Sequence, residues 1–210
     1  MAFDQRTVHA DTRRRLIALG RSLDDVAAAR TVPACPAWTV HDVFAHVVGV
    51  PTDIMDGRTT DLGSDAWTAV QVDRFRGRSL ADVLDAWEAV APRIDAFVDA
   101  DPIWGLRFNA DLVTHEHDLA GALGRPAPRD GAAVEAGLAR YLPAFHDRST
   151  AAGLPPVTPT GSDFELLRAL TGRRSVAQMR GLGWPTGVDP TPYLPLVSNY
   201  GVPAVDLVED

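Results

Sequence analysis

Apolar residues recur at steps of three and four along almost the whole chain, and that period commits it to helices. In "TRRRLIALGRSLDDVAAA", Leu16, Leu19, Leu23 and Val26 share one stripe, with arginines and aspartates opposite. "ARTVPACPAW" breaks the pattern with two prolines. Thr39 then suits a helix N-cap, with acidic Asp42 three residues on. The helix it opens carries Val40, Val43, Phe44, Val47 and Val48, runs to Pro51 and continues to about Met55. A polar stretch from Asp56 to Ser64 reads as a long crossover. A third helix starts at a Ser79 cap and aligns Leu80, Val83, Leu84, Trp87, Val90, Ile94 and Phe97. The fourth holds Phe108, Leu112, Leu119 and Leu123 and stops at Gly124 and Pro126. "GAAVEAGLARYLPAF", a short helix capped by Ser162 or Asp163, and "SVAQMRGLG" keep the period, before a Pro- and Gly-rich tail from Trp184. There is no internal repeat and no βαβ alternation. The expected class is all-α: an antiparallel four-helix bundle over residues 1–150, with a helical extension and irregular tail over 151–210 packing on it.

Composition prunes the chemistry. At 210 residues, 46% hydrophobic and 23% charged, the chain can bury one sizeable core. A net charge of −8 opposes binding to nucleic acid. No apolar run is long enough for a bilayer, and the first residues lack a secretory pattern, so the expected partners include no membrane and the expected location is cytoplasmic. Cys35 is the sole cysteine, which rules out an intrachain disulfide and a thiolate-rich zinc cluster. All 20 basic residues are arginine, so neither a Schiff-base lysine nor a P-loop lysine exists.

Three polar residues fall where helices face the interior: His46 on the second helix, Asp111 and His115 on the fourth. Asp111 and His115 are four apart and share a face. Taking Leu112 as the centre of the buried face, His115 lies about 60° to one side, Asp111 about 40° beyond it, and Glu116 about 40° to the other side. His117, at about 140°, is expected to point outward. Asp118 shares the Asp111 flank and is placed to orient an imidazole. Two imidazoles and a carboxylate make a three-ligand metal site with a vacant position. The same residues also suit a core histidine hydrogen-bonded to Asp111, and the pattern leaves both readings open.

The remaining polar residues have plainer expectations. His41 is expected to be solvated, His9 and His146 structural near helix ends, and Cys35 a small buried hydrophobe. Trp38 and Trp87 read as core anchors. Arg173 and Arg174 follow a helix end, where they suit a C-terminal cap or an anion contact.

"VPACPAWTVHDVFAHVVGV" resembles the opening motif of the DinB-like, maleylpyruvate-isomerase-type metal-binding family of mycothiol-dependent enzymes. Trp38, Asp42 and His46 match it, and Ala37 replaces the usual glycine. "ADLVTHEHDLAGALGRP" is similar to the family's second signature, through Asp111, His115 and Asp118. His117 stands where a tryptophan is often found, and some members carry Glu at the place of Asp111. The resemblance implies a DinB-like four-helix bundle in which His46, Asp111 and His115 bind a divalent metal, usually zinc. The region after about Arg148 is short and helical, unlike the α/β C-terminal domain of the fuller isomerases.

By resemblance the protein is a metal-dependent enzyme whose nucleophilic sulfur arrives with a small thiol, mycothiol, and whose other partner is an electrophilic small molecule. Addition, bond rotation and elimination give isomerisation; stopping at the adduct gives transfer. No proton-transfer residue is assigned, Glu116 being the only candidate. Two alternatives stand beside this: a non-catalytic metal- or ligand-binding bundle, and a thiol-independent metal hydrolase. A homodimer through an exposed bundle face is left open.

Overall fold

A computed structural model describes residues 3–209, and its helices dominate. In chain order they are α1 (Gln5–Arg21), α2 (Asp25–Ala28), α3 (Val40–Met55), α4 (Asp65–Arg74), α5 (Leu80–Ala100), α6 (Pro102–Leu123), α7 (Ala132–Ala151), α8 (Asp163–Leu170) and α9 (Val176–Arg180). A two-stranded antiparallel hairpin, β1 (Thr31–Val32) with β2 (Cys35–Thr39), precedes α3. The fold is of the expected all-α class, with only this small sheet beside the helices among the described residues.

The helix starts obey local chemistry. Thr39 and Asp42 form a reciprocal capping box on α3, and Ser79 and Asp82 form another on α5, each satisfying two backbone N–H groups. Asp101 accepts from the Ile103 and Trp104 N–H groups to start α6. At its other end Gly124 takes the left-handed conformation, φ 60°, that closes the last turn.

Two compact units emerge, residues 1–127 and 128–210. In the first, α1, α3, α5 and α6 bury one apolar core that includes Leu16, Phe44, Leu84, Trp87, Phe108 and Leu119. In the second, α7, α8, α9 and a 3₁₀ turn at Leu194–Leu196 close over Phe145, Leu166, Leu170, Met179 and Tyr193. The sequence boundary lies near 150; in the structure α7 groups with the C-terminal unit, because Phe145 belongs to that unit's core.

Two elements go beyond the sequence reading. The Pro-containing break is partly ordered as the β1–β2 hairpin. Helix α4 occupies a stretch for which no helix is expected, capped by Ser64 and packed on α3. Their approach is close: a Cβ on Gly49 would lie 2.5 Å from the Cβ of Gln71. Buried Asp53 on α3 accepts from Arg74 of α4 at 2.5 Å and from Arg58 at 2.7 Å, which ties the pair together. Among the described residues, no helix is long and apolar enough to cross a membrane.

Candidate metal centre

His46 lies in the middle of α3, one turn before Gly49, and is 5% exposed. Its Nδ1 is 3.0 Å from Gln71 Oε1. A carbonyl oxygen accepts, so Nδ1 carries the proton and Nε2 keeps its lone pair. Gly49 makes this contact feasible, since it admits α4 close enough for Gln71 to reach the ring.

On α6, His115 is buried and its Nε2 is 3.7 Å from Asp111 Oδ1. The His46 Nε2 is 3.8 Å from the same oxygen. The two imidazoles meet edge to face, with ring centroids 4.9 Å apart. One ligand-type atom from each of the three residues lies within 4.8 Å of the others. The structure therefore brings together the three residues singled out in the sequence.

These separations fit a shared cation better than direct bonding. They exceed hydrogen-bond reach, which ends near 3.2 Å for an N–H donor to oxygen. Two atoms each about 2.0–2.2 Å from one ion lie up to about 4.2 Å apart. A set of two imidazoles and one carboxylate suits zinc and its first-row neighbours. Asp111 is the least enclosed of the three, with a side chain 31% exposed, which leaves an approach from solvent.

The surroundings correct several expectations. Asp118 lies beside His115 as anticipated, with Oδ2 3.0 Å from Nδ1. The contact is charge to ring edge and not an aligned hydrogen bond, so Nδ1 remains without a hydrogen-bond acceptor. His117, expected to face outward, is buried, as is every residue from Leu112 to Leu119. Helix α6 is covered by α1, α3, α5 and β1, so a one-sided reading of its faces fails there. Glu116 is held by a bidentate pair with Arg15, at 2.7 and 2.9 Å, and is thereby withdrawn from proton transfer.

His9 sits inside α1, not near a solvated end, and is 2% exposed. Burial pushes its imidazole down to about 4, reinforced by the Arg13 guanidinium and opposed by Asp95 and Asp111. His9 is therefore neutral at ordinary pH. His41 is partly covered, with Nε2 3.0 Å from the Arg78 carbonyl.

Trp38 does more than anchor the core. Its ring centroid is 4.7 Å from that of His46 and 6.1 Å from that of His115, so it walls one side of the centre. Cys35, three residues earlier on β2, is only part-buried, and its Sγ is 3.4 Å from Asp118 Oδ2. Sequence reading missed both Gln71 and this cysteine contact. A clue to Gln71 existed: with the Ser64 cap and Trp67 four residues earlier, it falls on the inward side of a short helix.

Residues 9–110 match the family model of the mycothiol maleylpyruvate isomerase N-terminal domain. The match takes in Cys35, Trp38, His46 and Gln71 and ends one residue before Asp111. Comparison with curated proteins and with solved structures gave no match.

Proposed function

From the premise that residues 9–110 belong to the mycothiol maleylpyruvate isomerase N-terminal domain family, we propose that this protein is a metal-dependent enzyme. It uses a small thiol such as mycothiol for isomerisation of, or transfer to, an electrophilic small molecule. The residues that hold the metal, zinc in this reading, are His46, Asp111 and His115. When bound, zinc supplies a charge that favours the thiolate form of a coordinated thiol near neutral pH.

The observation that carries the reading is convergence: two Nε2 atoms lie 3.7 and 3.8 Å from one carboxylate oxygen, beyond hydrogen-bond reach of it and within the span of donors around one ion. The chain's other residues support that centre in distinct ways. Gln71 fixes the tautomer and plane of His46. Asp118 places negative charge beside the His115 ring, favouring electron donation from the opposite nitrogen. Trp38 covers the two rings and limits water on that side. The absence of lysine and the single cysteine are consistent with a nucleophile brought by the cofactor.

Metal analysis of the purified protein tests the centre, with His46→Ala and His115→Ala as controls. One bound ion per chain at this centre, lost in both variants, is expected. Consumption of an electrophile such as maleylpyruvate, followed with and without mycothiol, tests the chemistry. A rate indifferent to the thiol would overturn the isomerase and transferase reading in favour of a hydrolase.

A further inference from the structure

The His115 ring has two nitrogens, and only Nε2 is used by the centre above. Its Nδ1 points to a second group of different chemistry. Asp118 Oδ2 lies 3.0 Å from Nδ1, and Cys35 Sγ lies 3.4 Å from the same carboxylate oxygen. One ligand-type atom from each of Cys35, His115 and Asp118 falls within 4.8 Å of the others. Nδ1 belongs to a side chain only 7% exposed, and it makes no hydrogen bond despite the nearby carboxylate. A buried ring nitrogen without a hydrogen-bond partner, beside a carboxylate oxygen that a thiol also touches, is set up for a ligand.

We propose that Cys35, His115 Nδ1 and Asp118 form a second metal site, selective for a thiophilic divalent cation such as zinc or cadmium and placed back to back with the first across the His115 ring. The spacing suits it: a sulfur about 2.3 Å and an oxygen about 2.0 Å from one ion lie about 3.5 Å apart at tetrahedral angles. Binding releases the Cys35 thiol proton and, when both sites are filled, the remaining His115 ring proton to solvent, leaving the ring as a bridge. The partial exposure of Cys35 on β2 gives the cation a way in. The softer donor set separates the two sites: thiolate on one side of the ring, imidazole and carboxylate only on the other.

Cadmium added to metal-stripped full-length protein reads both sites at once, since only the second gives an ultraviolet thiolate-to-cadmium absorption. Two ions per chain with that absorption are expected. Cys35→Ser should remove the absorption and one ion, while His46→Ala should remove one ion and keep the absorption. Asp118→Asn should weaken the thiolate-linked binding by about tenfold or more. Thermal unfolding of each variant confirms that it is folded.

Absence of the absorption in the folded wild type, its persistence in Cys35→Ser, or unchanged affinity in Asp118→Asn would overturn the site and leave an S–H···O contact only. One ion with the absorption would sustain this site and remove the centre at Asp111. One ion without it would do the reverse.

Discussion

Each compact unit buries a polar cluster, and the two clusters are finished differently. In residues 128–210, Arg168 is wholly buried and donates to Glu209, with Nε 3.0 Å from Oε2. Arg174 grips Glu165 with two bonds, at 2.7 and 2.8 Å, and reaches Glu209 at 2.8 Å. Of the two readings of this arginine, a C-terminal cap or an anion contact, the chain supplies the anion itself. In residues 1–127, His46, Asp111 and His115 converge with both Nε2 atoms 3.7–3.8 Å from one Asp111 oxygen, beyond hydrogen-bond reach. Bidentate ion pairs hold a fold, whereas nitrogen and oxygen donors that converge beyond bonding distance of one another suit a shared cation.

The largest effect should come from opening the closed cluster. Glu209→Ala removes a carboxylate that buried Arg168 and Arg174 share and should lower stability by about 3 kcal/mol in denaturant unfolding, since two buried charges each lose a bonded partner. Metal uptake per folded chain should be unaltered. A stability change under about 1 kcal/mol would break the contrast, because it would make the pair as dispensable as a surface one.

A pH series sharpens the comparison inside the first unit, where His9 is a buried histidine of the fold and not of the centre. Its folded value, about 4, lies below the ordinary 6.5, so the unfolded chain takes up the proton first. Stability is therefore full above about pH 6.5 and falls as pH drops toward about 4, by up to about 3 kcal/mol. Urea unfolding of the metal-free protein should show that slope, and His9→Gln should flatten it. An equal slope in the variant would assign the titration elsewhere.

Gln71→Met should act on the centre more than on the fold. It removes the acceptor of His46 Nδ1–H and should weaken metal binding at the His46 centre by about 10–100-fold, measured by competition with a chelator. Unchanged affinity would show that packing alone orients the ring. The smallest effect is expected on the surface: Arg6→Ala breaks the exposed pair with Asp99 and should change stability by under about 1 kcal/mol and metal binding not at all.

Much of the scaffold was legible in the residues. The stripes of α1, α3, α5 and α6 are local patterns, and the Thr39, Ser79 and Gly124 signals end where backbone groups need partners. The inward placement of His46 and His115 follows from the same helical period. Other features escaped because they depend on distant neighbours. Gln71 is 25 residues from the ring it orients, and Cys35 is 83 residues from Asp118. Glu116 meets an arginine 101 residues away, so its withdrawal from catalysis could not be read from α6.

By itself, the order of residues determined the main bundle helices and several of their caps, the exclusion of lysine and multi-cysteine chemistry, and that His46 and His115 turn inward. Those depend on contacts within a few residues and on composition. Tertiary packing alone decided that α6 is covered on several sides, so that His117 is buried. It also decided that α4 lies close enough at Gly49 to fix His46, and that both nitrogens of His115 face ligand-type atoms. The physical reason is that a helical period sets the direction of a side chain, whereas what it meets there depends on which distant segment fills the space.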